Sequence, residues 1–510
     1  VGGVALKMPL IPLDIPPGFV RNGTDLQSSG RWRDGSLVRW REGSMRPIGG
    51  WSERIASMFS ATPRGMHTWQ ALNGSRWIAG GTYNSLKAAT AGGTVYDITP
   101  TGLTAGLEDA ALATGYGSGF YGTGSYGVAR SSTGTYSEAT TWDLDNWGEY
   151  LVACSSADGK LYEWQLGVAP SVTPAAAITN APTSCSGLLV TEERILFALG
   201  AGGNPRRIAW CDQENNTQWT AAATNQAGDI ELQTAGQIMA AVRTTGQTLI
   251  LTDIDAHRAT YQGPPFIYGF ERVGQACGMI ARKAVASTDA GVFWMGQKGF
   301  FRFDGSSVQE LPCSVSDHVF LDISTDQISK AWAVSNGQNG EVWWFYVSGA
   351  SSDGEIDSYV AYDYKENHWL IGKMARTAGI DRGVFKQPLF ASAAGAVYDH
   401  ETGYSYGGQE VYAESGPVRM GTGETLFHAL RLLPDELTQG SVTATFKARN
   451  YPNTNLNSDS LERTYGPFSM ANPTDIRFSG RQLRMRVTST GIGAWRWGVP
   501  SIDLVQAGKR

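Results

Sequence analysis

Cysteine is scarce and unpaired in this 510-residue chain. Cys154, Cys185, Cys211, Cys277 and Cys313 lie far apart, none in a CxxC pair. An odd, scattered set argues against a disulfide framework or a thiolate zinc site and reads as reduced, buried thiols made in a cytosol. Histidine is almost as rare: His67, His257, His318, His368, His400 and His428 stand singly, with no HExxH or other ligand spacing. No apolar run approaches the roughly 20 residues that span a bilayer. No charged start followed by an apolar core marks a signal peptide, so membrane insertion is not expected. Charged residues are few, at 17%, and the net charge is −6. A chain that grips nucleic acid through its phosphates should be basic, which argues against a DNA-affinity module. It leaves open a surface that DNA merely passes. The periodic Ala, Leu, Glu and Lys of long helices are also missing.

What is plentiful is glycine (63), with 17 Trp and 20 Tyr, the composition of many short strands and tight turns. The stretch Ala286–Pro312 shows the pattern best. Gly291–Trp294, Phe300–Phe303 and Ser307–Leu311 read as strands, separated by turns at Gly296–Gly299 and Asp304-Gly305. Asp-Gly between alternating apolar runs is a strong hairpin signal because glycine tolerates positive φ. Variants recur along the chain. His67–Trp69, Arg76–Ala79 and Thr94–Ile98 make one unit; Glu149–Ala153 and Lys160–Trp164 make the next. A third runs over Gly187–Val190, Arg194–Ala198 and Arg207–Trp210, a fourth over Gln237–Phe270, and the fifth is the stretch above. A sixth, Ala331–Gly372, holds Val342–Tyr346 and Tyr359–Asp363, and a seventh covers Val384–Tyr398. Multi-stranded repeats of roughly 40–50 residues match the propeller class, in which each blade is stable only when neighbours cover its faces. The expected fold is an all-β propeller of six or seven blades over 64–405; a stacked series of sandwiches is the competing architecture.

Residues 1–63 precede the propeller. Met8-Pro-Leu-Ile-Pro reads as a natural start, with residues 1–7 upstream of it. Pro9, Pro12, Pro16 and Pro17 forbid helix. Ser36–Trp40 and Met45–Ile48 flank a hairpin turn at Glu42-Gly43-Ser44. This leader either lies on its own domain or reaches a neighbouring subunit. Residues 103–140 interrupt the repeats with a Gly/Tyr/Ser-rich insertion that cannot form a packed core unaided. Its Tyr116, Phe120, Tyr121 and Tyr126 are candidate contacts ordered by a partner. From 406 to 510 the alternation of Val442–Lys447, Asp475–Phe478 and Gln482–Val487 suggests a separate antiparallel β-sandwich. Arg477, Arg481, Arg484, Arg486 and Arg496 give it a basic stripe. The stripe is either a solvated face or a subunit interface, in which Arg481, Arg484 and Arg486 are the candidates.

Catalytic patterns fail on inspection. Ser287-x-Asp289-x-Gly291-x-x-Trp294 fits an Asp box, a turn device whose Ser and Asp can bond backbone N–H groups. Asp143-Leu-Asp145 begins like a calcium loop, but position five is Trp147 and position twelve is Cys154 instead of a bidentate Glu. There is no GxSxG elbow and no phosphate loop. Two carboxylates for glycoside hydrolysis can converge from different blades, and with 47 acidic residues sequence order does not select them. Trp343 and Trp344 read as blade core ahead of sugar platforms.

Several motifs together carry a resemblance. Met8-Pro-Leu-Ile-Pro-Leu-Asp-Ile-Pro-Pro-Gly18, Gly30-Arg-Trp32 and Leu37-Val-Arg-Trp40 resemble the start of the tail hub or nozzle (tail tubular protein B-like) family of short-tailed bacteriophages. So do Leu144–Gly148, Asp212–Asn216 with Trp219, Asn225–Asp229, Gly263–Phe266 and Trp294–Gly296, and the ending Arg481–Arg486 with Trp495–Gly498 resembles its C-terminal sheet. The resemblance implies a structural virion protein, made in the host cytoplasm and located in the tail. It implies a homo-oligomer, typically a hexamer, that extends the DNA-ejection conduit below the portal. Its partners would be the tail adaptor protein, a tail fibre or spike, and viral DNA sliding past an acidic lumen. The family brings no catalytic motif, so the expectation is a non-enzyme without catalytic residues, cofactor or metal. The alternative is a virion-associated propeller that hydrolyses, lyses or binds host glycan.

Overall fold

The computed structural model describes residues 10–112, 136–166, 173–419, 425–438, 441–450, 462–491 and 493–506. Residues 1–9 and the insertion residues Tyr116, Phe120, Tyr121 and Tyr126 lie outside them.

The expected propeller is present, and it has seven blades. Each is a four-stranded antiparallel sheet whose strands follow one another outward from the axis. The inner strands are Met66–Gln70, Trp142–Trp147, Gly187–Val190, Ile238–Thr244, Val285–Thr288, Trp332–Asn336 and Ala378–Ile380. They neighbour one another in order, and that of blade 7 returns to that of blade 1. Blade 5 holds the stretch Ala286–Pro312, with one strand more than its sequence suggests, Val285–Thr288, on the inside. Its Asp304-Gly305 turn also differs from the tight primed hairpin. Phe303 pairs with Val308, so the loop has four residues. The Asp304 carboxylate accepts the backbone N–H groups of Ser306 and Ser307, each at 2.8 Å. Those bonds hold the Asp304 carboxyl down at about 2.

Apolar packing explains why the blades need one another. Five buried clusters each straddle blade boundaries. Trp69 and Trp77 of blade 1 meet Trp164 of blade 2. Phe197 and Trp210 of blade 3 meet Tyr268 of blade 4. Leu249 and Trp294 join blades 4 and 5. Phe300 and Trp344 join blades 5 and 6, and Phe345 and Phe390 join blades 6 and 7. Ile78 and Val397 close the ring between blades 1 and 7. Buried indoles also donate across the boundaries: Trp142 to the Thr82 carbonyl (2.7 Å) and Trp344 to the Ala284 carbonyl (3.2 Å). Trp343 and Trp344 are therefore core side chains, 3% and 0% exposed.

The outer strand of blade 7 comes from the leader. Trp51–Ile55 pairs with Val397–His400, so the ring is closed by residues that precede blade 1. The rest of the leader is equally committed. Leu10–Pro12 pairs with Ser501–Gln506, and Trp32–Ser36 pairs with Tyr412–Ser415. Between them Val38–Arg41 and Ser44–Pro47 form the expected hairpin, turning at Glu42 (φ 52°) and Gly43 (φ 76°). Both turn residues have positive φ, as a two-residue primed turn requires.

The C-terminal residues build two antiparallel sheets. One orders Trp32–Ser36, Tyr412–Ser415, Gln482–Ser489, Val442–Arg449 and Glu462–Ser469; the other orders Leu10–Pro12, Ser501–Gln506, Phe427–Leu433 and Thr474–Gly480. Phe446 of the first stacks on Phe478 of the second at 5.2 Å. Each sheet thus takes a leader strand. Their core is continuous with that of blades 5–7 through Phe19, Trp32 and Trp40 of the leader. The described strands of the leader pair within their own chain.

Buried charge fastens the hairpin to the propeller. Arg39 pairs with Glu341 of blade 6 (3.0 Å) and with Glu401 at the end of blade 7 (2.6 Å), while Arg41 reaches Asp363 (2.7 Å). Glu341 and Asp363 are fully buried. Burial works against the charge of Arg39, but the Glu341 and Glu401 carboxylates overcome it and raise the guanidinium above its ordinary value. Burial also pushes the Glu341 carboxyl upward despite Arg39. Removing one partner from such a cluster leaves an uncompensated charge in low dielectric. Arg39→Met is therefore expected to cost about 3–5 kcal/mol in urea unfolding, with part of the loss recovered when Glu341→Gln is added. Deleting residues up to 56 removes the ring-closing strand together with the hairpin, and the remaining chain is expected to lose its cooperative melt by near-ultraviolet circular dichroism.

Candidate functional site at the propeller axis

A cavity of about 210 Å³ lies where the inner strands begin. Met66, Asp143, Ala240, Val285, Trp332 and Ala378 line it, from six of the seven inner strands, which places it on the axis. The charged lining comes from Arg64, Arg282, Lys283 and Lys330, with Asp143 the one carboxylate.

Three of those cations share one local origin. Arg64, Lys283 and Lys330 each stand two residues ahead of an inner strand, at blades 1, 5 and 6. Extended backbone repeats its side-chain direction every second residue, so a cation at that position continues the inner face of the strand toward the axis. Arg376 holds the same position ahead of blade 7 but turns away. It packs over the rings of Trp51 and Tyr398 at 4.9 and 4.5 Å and donates to His400 Nε2 at 2.9 Å.

The pairing in the cavity is uneven. Lys330 Nζ is saturated by Asp109 (2.6 Å), the Gly354 carbonyl (2.6 Å) and Glu355 (2.9 Å). Arg64 gives Nε and Nη2 to the Glu108 carbonyl at 3.2 and 3.1 Å, and Nη2 also to Glu355 at 2.5 Å. Among the described residues its Nη1, which is buried, has no hydrogen-bond partner, and neither has Thr377 Oγ1. Arg282 meets Glu138 at 3.3 Å. Lys283 pairs with Asp143, which also accepts the Leu188 N–H at 3.2 Å. That approach needs Gly187, because a Cβ there would collide with the Asp143 carboxylate. Further along the same strand, Asp145 accepts from the Val190 N–H and Arg243, both at 3.1 Å. The aspartates that begin like a calcium loop are thus spent on backbone and cations. Among the described residues no three His, Cys, Asp or Glu side chains gather to hold a metal ion.

The residues singled out from the sequence go elsewhere. In the Asp box, the turn is held by Thr288, which accepts the Ala290 N–H (3.1 Å). Ser287 donates to the Arg243 carbonyl of blade 4 (3.3 Å), and Asp289 accepts from Tyr364 of blade 6 (2.8 Å). The box therefore ties three blades together and does not use Ser and Asp for its own turn. Of the basic stripe, Arg484 is buried and paired with Asp25 of the leader (2.7 Å) and with Glu462 (3.5 Å). Arg486 pairs with Glu410 (2.8 Å) and lies over the Tyr412 ring (3.6 Å). Arg484 and Arg486 thus meet acidic residues of their own chain. Arg481 is half-buried, its N–H donating to the Arg449 carbonyl. The axial cations escaped the sequence reading, although their fixed offset from successive inner strands is a signal present in it.

No family model matches the chain, and no curated protein matches it. Solved structures similar to it include virginiamycin B lyase from Staphylococcus aureus, at 9% identity and a TM-score of 0.42, covering 68% of this chain and 98% of that one. A streptogramin B lyase follows at 10% and 0.41, covering 68% and 96%. A fungal alcohol oxidase in complex with copper follows at 11% and 0.40, covering 84% and 93%. Likeness this loose carries no site or activity over to this chain. It does correct one expectation: enzymes stand among the similar structures, so the lack of a catalytic motif does not make this chain a non-enzyme.

Among the described residues no histidine lines the cavity. Burial, then the Arg376 charge, lowers His400 well below its ordinary value, and burial alone leads the lowering of His67 and, to about 4, of His318. Each therefore resists protonation in the folded chain and takes up a proton more readily once unfolded. Stability is therefore complete above about pH 6.5 and falls as the pH drops below it, by up to about 1.4 kcal/mol per pH unit for each such group. Urea midpoints are expected to fall between about pH 7 and pH 5, and His400→Gln, which still accepts from Arg376, is expected to flatten that slope.

Proposed function

We propose that this chain is a structural subunit of a phage tail, of the hub or nozzle kind, whose propeller is a rigid frame for contacts with other virion proteins. The observation that supports this best is the path of the leader. The leader, whose residues 8–18, 30–32 and 37–40 carry part of the resemblance to that family, supplies a strand to blade 7 and one to each C-terminal sheet. A chain whose first residues fasten every part to every other resists local opening, because no part separates without breaking another's ladder. That property suits a component of a conduit through which a genome is driven.

Under this reading the DNA path lies between subunits. An axial cavity of about 210 Å³ crossed by the Lys283–Asp143 pair does not admit a duplex. Ring contacts come from surfaces other than the leader, since its described strands are already paired within the chain. Six copies, an adaptor above and a fibre or spike below complete the assembly. A net charge of −6 per copy keeps DNA from adhering to the lumen.

A second reading, a virion-associated propeller that binds or cleaves host glycan, is favoured by the axial cavity itself. Concave polar sites of this kind hold small ligands in many proteins.

Electron microscopy of purified virions with antibody against this chain separates the two. The tail reading expects label at the tail tip and an isolated ring with a central lumen. Label confined to peripheral fibres, with the purified chain monomeric at high concentration, would sink it, and cleavage of host polysaccharide by the monomer would establish the second.

A further inference from the structure

We infer that the axial cavity binds a small oxyanion, a carboxylate or a phosphate group, between Arg64, Lys283 and Thr377. The inference rests on the cavity alone and on neither reading of the chain's role.

Donors outnumber acceptors there. The lining holds four cations against the single carboxylate of Asp143. The other carboxylates that pair with these cations are not part of the lining. Glu355, 14% exposed, is shared between Arg64 and Lys330, while Asp109 and Glu138, 56% and 48% exposed, stand in water, where their pull is screened. Three donor groups are left under-used. Arg64 is only 4% exposed, fixed by Glu108 and Glu355, and its Nη1 has no partner. Thr377 is 3% exposed and its hydroxyl has none either. Lys283 has three N–H groups and, among the described residues, bonds Asp143 alone. A buried donor without a partner costs free energy, and guanidinium and ammonium groups recover most from an ionised oxygen. Lys330, already saturated, adds charge without competing for the ligand. The volume is that of about seven waters, enough for phosphate or for the acid group and ring of one sugar. Trp332, stacked on Phe345 at 4.6 Å, supplies a rigid apolar wall for such a ring.

Isothermal titration of the full chain with sodium phosphate and, separately, with sodium glucuronate tests this, with sodium chloride at matched ionic strength as the control. Saturable binding of at least one oxyanion in the millimolar range, absent for chloride, is expected. Tighter phosphate would mark a phosphoryl ligand, and tighter glucuronate a sugar acid; either supports the site. Lys283→Gln is expected to weaken binding about tenfold, and Thr377→Val several-fold. Lys283→Gln also strips Asp143 of its cation, whereas Thr377 belongs to no ion pair, so Thr377→Val should melt like the parent, which separates lost binding from lost folding. Binding of neither oxyanion, or affinities unchanged in both variants, would overturn the inference.

Discussion

Everything in this molecule depends on how the seventh blade is completed. A four-stranded blade exposes an unpaired edge and two apolar faces, and a ring of blades removes the faces but needs a last strand to lock it. Here that strand is Trp51–Ile55, from upstream of blade 1. Closure therefore couples both ends of the ring in one ladder, and the seventh sheet cannot form fully until the leader is in place. Trp51 stacks on His400 across this joint at 5.3 Å, with Arg376 against the other aromatic surfaces.

The charge cluster around Arg39 follows from that path. Once the leader must cross blades 6 and 7 to reach its ladder, its hairpin lies over their polar ends, and the carboxylates of Glu341, Glu401 and Asp363 are covered. Covering them without Arg39 and Arg41 would strand three acids away from water. The same logic holds at Asp25, which takes Arg484 and Arg449 from the C-terminal sheet at 2.7 and 2.8 Å. The leader is thus bonded through charge to both parts it bridges. These clusters specify where it lies more than they add stability, since buried pairs roughly repay their own desolvation.

At the axis the balance differs. The cations there pair with Asp109, Glu138, Glu355 and Asp143, of which Asp143 alone is part of the cavity lining among the described residues. A scaffold needs no such imbalance, since apolar side chains would fill the axis more cheaply. The unpaired donors of Arg64 and Thr377 make the axis the part of the propeller best suited to a ligand.

Local chemistry was enough to read the blades. Glycine-containing turns, aromatic strands and repeat length determine hairpins between neighbours in sequence, and the Glu42-Gly43 turn was legible for the same reason. The period-two alternation at Asp475–Phe478 likewise predicts the burial pattern seen there. What tertiary structure alone decided are the long-range matters: that there are seven blades, that the leader closes the ring, and that Arg484 meets Asp25 of the leader. Each depends on which distant edge or carboxylate a residue meets, and no local pattern encodes that. The axial cavity lies between the two cases. Its cations recur at a fixed offset that the sequence already contains, but six strands had to converge before that offset became a site.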